Sequence, residues 1–194
     1  SFNPAKTTQL TLSNSPNSVP LQLNFGGQRV PISHSHKHLG VTFSRDLRFH
    51  EHINDIILKV NRSLSPIYPI AALLPRTTLH LIYCTYIRPY FDYCDIIYDG
   101  NITVTDSLRL ERLQNRAARL VTGTLRRSST DKLRRELGWD SLKTRRTIHK
   151  LIMYFMLRHP QSQLPTYITS IIPNIRLNDT GRILRNANTH TLPM

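Results

Sequence analysis

Leu108–Gly123 reads LRLERLQNRAARLVTG. Arg109, Arg112, Arg116 and Arg119 recur at helical spacing, and at 100° per residue they fall within one arc of about 80°. Leu110, Leu113, Ala117, Leu120 and Val121 fill the neighbouring arc. Gly123 follows where a left-handed C-cap belongs. The stretch therefore predicts a helix over about 106–122, with one side in a core and a row of guanidinium groups beside it. Guanidinium forks match phosphate oxygens and stay charged at any relevant pH. Two readings of the row stand at this point: a contact to a phosphate backbone, or a solvated face that keeps the protein soluble.

Helices are predicted on both sides of this stretch. Upstream, Ile53, Ile56, Ile57, Val60 and Leu64 keep an i, i+3, i+4, i+7 pattern. Pro66, Pro69 and Pro75 punctuate the next segment. Leu79, Ile82, Tyr83, Tyr86, Ile87 and Tyr90 then form a second apolar stripe, closing near Pro89. Downstream, a short helix over about 130–137 ends at Gly138, and Trp139 reads as a core anchor between two helices. A last long helix is marked by Ile148, Leu151, Ile152 and Phe155, with Ser141 as its N-cap. Residues 7–43 read instead as strands. Leu21, Leu23 and Phe25 alternate, Gly26-Gly27 makes a turn, and Val30 and Ile32 alternate after it, which is a hairpin signal. A further strand is expected over 38–43. The fold class is α+β: a small antiparallel sheet followed by a mostly helical bundle. Residues 1–45 form the sheet part, 46–172 the helical part, and 173–194 a flexible tail.

Charge narrows the partners. The 194 residues carry 26 Lys and Arg against 12 acids, a formal net charge of +14. A polyanion is the expected partner, with nucleic acid first and an anionic membrane second. Residues 109–150 hold 13 of the basic residues and only four acids. The expected nucleic-acid contacts are Arg109, Arg112, Arg116 and Arg119, then Arg126 and Arg127, then Lys143, Arg145, Arg146 and Lys150. The last four open a helix, where positive charge is mildly unfavourable; a solvated face is the alternative for them too. No run of 18 apolar residues is present, so no membrane span is expected, and nucleic acid, not membrane, is the expected partner. Cys84 and Cys94 cannot build a four-Cys zinc site and read as reduced core residues. His34, His36 and His38 alternate with no acid or cysteine near enough to complete a site, so no metal site is expected. Hydrophobic content of 39% and a start at Ser suggest a fragment whose remaining core partner lies elsewhere.

Six motifs stand in register across residues 1–172: NPAKT (3–7), HKHLGVTF (36–43), RFHEHI (48–53), LLPRTTL (73–79), RPYFDYC (88–94) and LERLQNRAARLVTG with LGW (137–139) and RR (145–146). In this order and spacing the chain resembles the end of the palm and the thumb region of reverse transcriptases from non-LTR, LINE-like (jockey-type) retrotransposons. The resemblance implies an RNA-directed DNA polymerase of which this chain supplies template–primer binding. Its partners would be an RNA template, a DNA primer or an RNA–DNA hybrid, together with the upstream polymerase module. It implies an intracellular protein, with the nucleus expected. Lys6 would match the lysine that protonates the leaving pyrophosphate in the intact enzyme. His38, Leu39, Gly40 and Val41 would form a primer-grip-like hairpin, with Gly40 letting the backbone approach nucleic acid closely. The paired aspartates that hold Mg²⁺ in this family are missing, since the chain has no Asp-Asp pair. Asp92 and Asp95 are expected to cap or pair with local Arg residues. The fragment is thus expected to hold no cofactor and to be inactive alone. An autonomous basic helical nucleic-acid-binding module, or an inactive relic of such an element, are the alternatives.

Overall fold

The computed structural model describes residues 7–13, 21–124, 128–158, 165 and 167. The chain divides into two compact units, residues 1–147 and 148–194.

The first unit opens with three two-stranded ladders. β1 (Gln9–Leu10) pairs in parallel with β4 (Ile32–Ser33), while β2 (Asn24–Phe25) and β3 (Gln28–Arg29) form the expected hairpin. Gly26 and Gly27, at φ 57° and 77°, turn it. A second hairpin joins β5 (Ser35–His38) to β6 (Val41–Ser44), with His38 opposite Val41. The expected single strand over 38–43 is therefore folded back at Leu39-Gly40. Both of those residues have positive φ, 46° and 84°. Paired positive φ values match a tight turn to the right-handed twist of the strands it joins. Alternation alone does not reveal such a turn when its first residue is a leucine.

The described residues after Ser44 contain no strand. Helix α1 (His50–Leu64) buries Ile53, Ile56, Val60 and Leu64, the stripe read from the sequence. A 3₁₀ segment, Tyr68–Leu73, follows. The second stripe becomes one helical run in three parts: α2 (Arg76–Ile82), a π-helical turn (Tyr83–Ile87) and α3 (Arg88–Asp92). Pro89 does not close this helix. The wide turn before it makes room for the ring, which would otherwise clash with a carbonyl one turn back. The same turn resets the helical phase. Leu79, Tyr83, Ile87 and Phe91 are all buried at four-residue steps, whereas Tyr86, expected in the core, is 71% exposed. A short helix α4 (Asp95–Tyr98) leads to α5 (Val104–Thr122), α6 (Thr130–Leu137) and α7 (Leu142–Arg158).

One core joins α1, the 76–92 run and α5, with Val41 and Phe49 contributed from the hairpin side. Trp139 packs against it as expected: its ring stacks on Tyr83 at 3.7 Å, and Nε1 donates to His80 Nδ1 at 3.3 Å. Burial pushes the Tyr83 phenol well above its ordinary pKa. Cys84 and Cys94 are unbridged and half-buried against this core. Gly123 and Gly138 adopt the left-handed conformation as C-caps of α5 and α6. Ser141 caps α7, its Oγ accepting from Thr144 N at 3.0 Å.

In the second unit the apolar residues expected to face a core are open. Leu151, Ile152 and Phe155 are exposed, as are Met153 and Met156. No helix among the described residues is long and apolar enough to cross a membrane.

Candidate nucleic-acid interface

The candidate interface is built on α5, which starts two residues earlier than its sequence suggests. Thr103 is the N-cap: its Oγ1 accepts from Asp106 N at 3.1 Å and donates to Asp106 Oδ2 at 3.0 Å. Asp106 is 1% exposed and also receives Arg109 Nη1 at 2.9 Å, while His50 Nδ1 lies 2.9 Å from Oδ2. Burial pushes its carboxyl up, but the bonds from His50, Arg109 and Thr103 overcome this and hold it below the ordinary carboxylate pKa. Leu110, Leu113, Ala117 and Val121 are buried, and the buried arc extends to Gln114 and Ala118 on the side away from the arginines.

The arginine row divides by partner. Arg109 is tied to Asp106 and, through Nη2, to Asn54 of α1 at 2.8 Å. Arg116 donates to Asn61 of α1 at 3.0 Å, and its guanidinium lies 5.9 Å over the Tyr68 ring. The two asparagines are seven residues apart, as are the two arginines, so α1 and α5 run in the same direction with matched steps. Arg112 is exposed and has no partner among the described residues. Arg119 makes one long bond, 3.4 Å, to the Asn115 carbonyl, and its buried Nε has no partner among the described residues. From Arg112 onward the row meets no carboxylate among the described residues.

The second expected cluster separates differently. Arg145 forms a two-pronged bond to Asp92, at 3.0 and 2.6 Å, and Asp92 also lies 3.7 Å from Arg88. Arg146 is 2% exposed and donates to Asp99 and to Ser107 Oγ. Both are expected at phosphates; both instead fasten the first turns of α7, within the first unit, to the α3–α5 region, with carboxylates that a phosphate would have to displace. Asp92 does pair with a local arginine, Arg88, as expected, and with the distant Arg145 as well. Lys143 is exposed, with no side-chain partner among the described residues; its backbone N donates to Glu111, whose other oxygen holds Arg134. Lys150 is exposed and belongs to the second unit. Lys6, Arg126 and Arg127 lie outside the described residues.

The hairpin tip offers Leu39, 77% exposed, while Val41 is buried in the core. His38 is exposed. Tyr93 sits against the tip, its hydroxyl donating to the Leu39 carbonyl at 2.5 Å. A Cβ on Gly40 would lie 3.3 Å from the Tyr93 ring. The close approach that requires glycine here is therefore already made by a tyrosine of the same chain. Beneath the tip, His52 is 2% exposed, and its Nδ1 accepts from Thr42 N at 3.4 Å. Burial, reinforced by the Lys59 charge, lowers its pKa.

Where α5 passes the 3₁₀ segment there is an open groove of about 740 Å³. Tyr68, Ala71 and Ala72 form one side, and Arg116, Arg119 and Thr124 the other. Asn54, Asn61 and Asp106, which set the arginine geometry, are not among the residues expected from the sequence; the seven-residue repeat of the two asparagines is the signal for Asn54 and Asn61, and the i, i+3 spacing to Arg109 the signal for Asp106. Among models of protein families, curated proteins and solved structures, nothing matches this chain.

Proposed function

We propose that this chain is the part of a non-LTR retrotransposon reverse transcriptase that follows the catalytic hairpin, and that it holds the template–primer duplex. Contact runs through sugar–phosphate backbone and A-like shape, not base sequence. The chemistry belongs to an upstream module with its own Mg²⁺ site, so the chain acts in the nucleus as a binding element of a larger enzyme. The order of elements supports this reading: a hairpin with a presented tip, then a bundle of helices carrying the charge.

The observation that carries it is the division of the arginines. Arg109, Arg134, Arg145 and Arg146 each bind a carboxylate, yet Arg112, Arg116 and Arg119 share one face of α5 with none among the described residues. Neighbouring guanidinium charges repel, and a polyanion relieves that repulsion while releasing its counterions. From Arg112 to Arg119 the row rises about 10 Å, the length of roughly three phosphates along one strand.

The test is binding of short RNA–DNA hybrids across a salt series. Affinity should fall steeply with salt. Changing Arg112→Gln and Lys143→Gln together should flatten the log–log slope by roughly two units if each meets one phosphate. A wild-type slope near zero, or a double variant with unchanged slope, defeats the proposal.

A further inference from the structure

The groove beside Tyr68 has a chemistry that the duplex contact leaves unused. A duplex backbone needs cations along a ridge, and Arg112 serves that need from an exposed position. The groove instead combines cations with an aromatic ring and a small-residue wall. Tyr68 is 42% exposed, and Arg116, anchored by Asn61, is held over its ring. Ala71, Ala72 and Leu120 add apolar surface with little bulk. Arg119 lines the same groove, and its Nε is removed from water without a hydrogen-bond partner among the described residues. An unbonded guanidinium N–H removed from water is unfavourable, and an acceptor oxygen reaching Arg119 would relieve it.

From these features we infer that the groove binds an unpaired nucleotide at the end of the duplex. The base lies on the Arg116 guanidinium plane, which Tyr68 supports from behind, and the phosphate lies at Arg119. Aromatic rings and arginine planes are the surfaces on which unpaired bases stack, and stacking tolerates any base. A paired base cannot use them, because its faces are occupied by its neighbours. At about 740 Å³ the groove falls within the size range of small-ligand sites. Position agrees: Arg112, Arg116 and Arg119 follow one another down a single face of α5, so a strand tracked by the first arrives at the groove by the third. This inference rests on the duplex-binding reading above, and its ligand is the single-stranded nucleotide where a strand leaves that duplex.

The experiment compares a blunt RNA–DNA hybrid, the same hybrid carrying a three-nucleotide overhang, and the isolated single strand, using fluorescence anisotropy at fixed salt and the whole chain. Wild type should prefer the overhang by roughly 5- to 150-fold, the range for one base on one aromatic ring. Tyr68→Leu should abolish the preference while leaving blunt-duplex affinity unchanged, and Tyr68→Phe should retain it. Equal wild-type affinity for both ligands overturns the groove proposal and leaves the duplex reading intact. Overhang preference that survives Tyr68→Leu also overturns it. Binding of the isolated single strand with no binding of the blunt hybrid would uphold the groove and defeat the duplex reading. Binding of neither defeats both.

Discussion

Arg146 offers the sharpest separation between a charge that holds the fold and a charge that meets a ligand. Its side chain is 3% exposed and that of its partner Asp99 13%. Replacing Arg146 by Met keeps the length of the stem but leaves a nearly buried carboxylate without its guanidinium, and removes the bond to Ser107. Breaking one side of such a pair costs about 3–5 kcal/mol. In a cooperative unit near 150 residues, each kcal/mol lowers Tm by about 2–4 °C, so Arg146→Met should melt roughly 6–20 °C below wild type. Removing the carboxylate's charge as well, in Arg146→Met with Asp99→Asn, should restore part of the loss, with a coupling of at least about 1 kcal/mol in the double-mutant cycle. Arg112→Gln is the control and should lie within about 0.5 kcal/mol of wild type. Differential scanning calorimetry reads all five proteins, the Asp99→Asn single variant that completes the cycle included, and hybrid binding is measured on each below its own transition. If Arg146→Met melts with wild type while binding drops severalfold, Arg146 is a contact residue and its structural assignment is wrong.

Two other outcomes concern the hairpin region. Gly40→Ala forces a side chain onto φ 84° and against the Tyr93 ring, and should cost about 1–3 kcal/mol by chemical denaturation; a variant as stable as wild type would refute the account of the tip. For His52 the folded pKa is depressed from 6.5, so the unfolded chain takes up a proton before the folded one does. Its contribution is complete above pH 6.5 and is lost as pH falls through the window between 6.5 and the lower folded value. Tm should drop between pH 7.5 and 5.5, and less so in His52→Gln; an equal drop in the variant would exclude His52 as the source.

The local marks of the helices were readable in the sequence. Ile53 to Leu64, the buried side of α5, Gly123, Gly138 and the Ser141 cap all follow from spacing and end-residue chemistry that operate within a few positions. What stayed hidden depends on distant partners. Arg145 and Arg146 look like Arg112 in the sequence, and only Asp92 and Asp99, 53 and 47 residues away, take them out of the candidate site. Asn54 and Asn61 each lie 55 residues from the arginine they hold. Tyr86 was misplaced for another reason: a single wide turn changes the helical phase, and periodicity assumes that the phase is constant. Residue alternation reads Leu39 as strand, because nothing in a leucine announces a positive φ; only the resemblance implies a hairpin over His38–Val41.

The equal separation of the two Asn–Arg bonds has a mechanical consequence. Helices packed through apolar side chains alone can slip by a turn, since one leucine fits another's hole nearly as well. Here a slip of one turn, about 5.4 Å, would break both bonds at once and offer neither arginine another asparagine of α1 in register. The bonds act as two dowels driven through adjacent beams. The hairpin tip rides on α1 through Val41 and His52, and Arg112 rides on α5. The hairpin tip and the cation row are thereby referred to one helix register, the one the two bonds select.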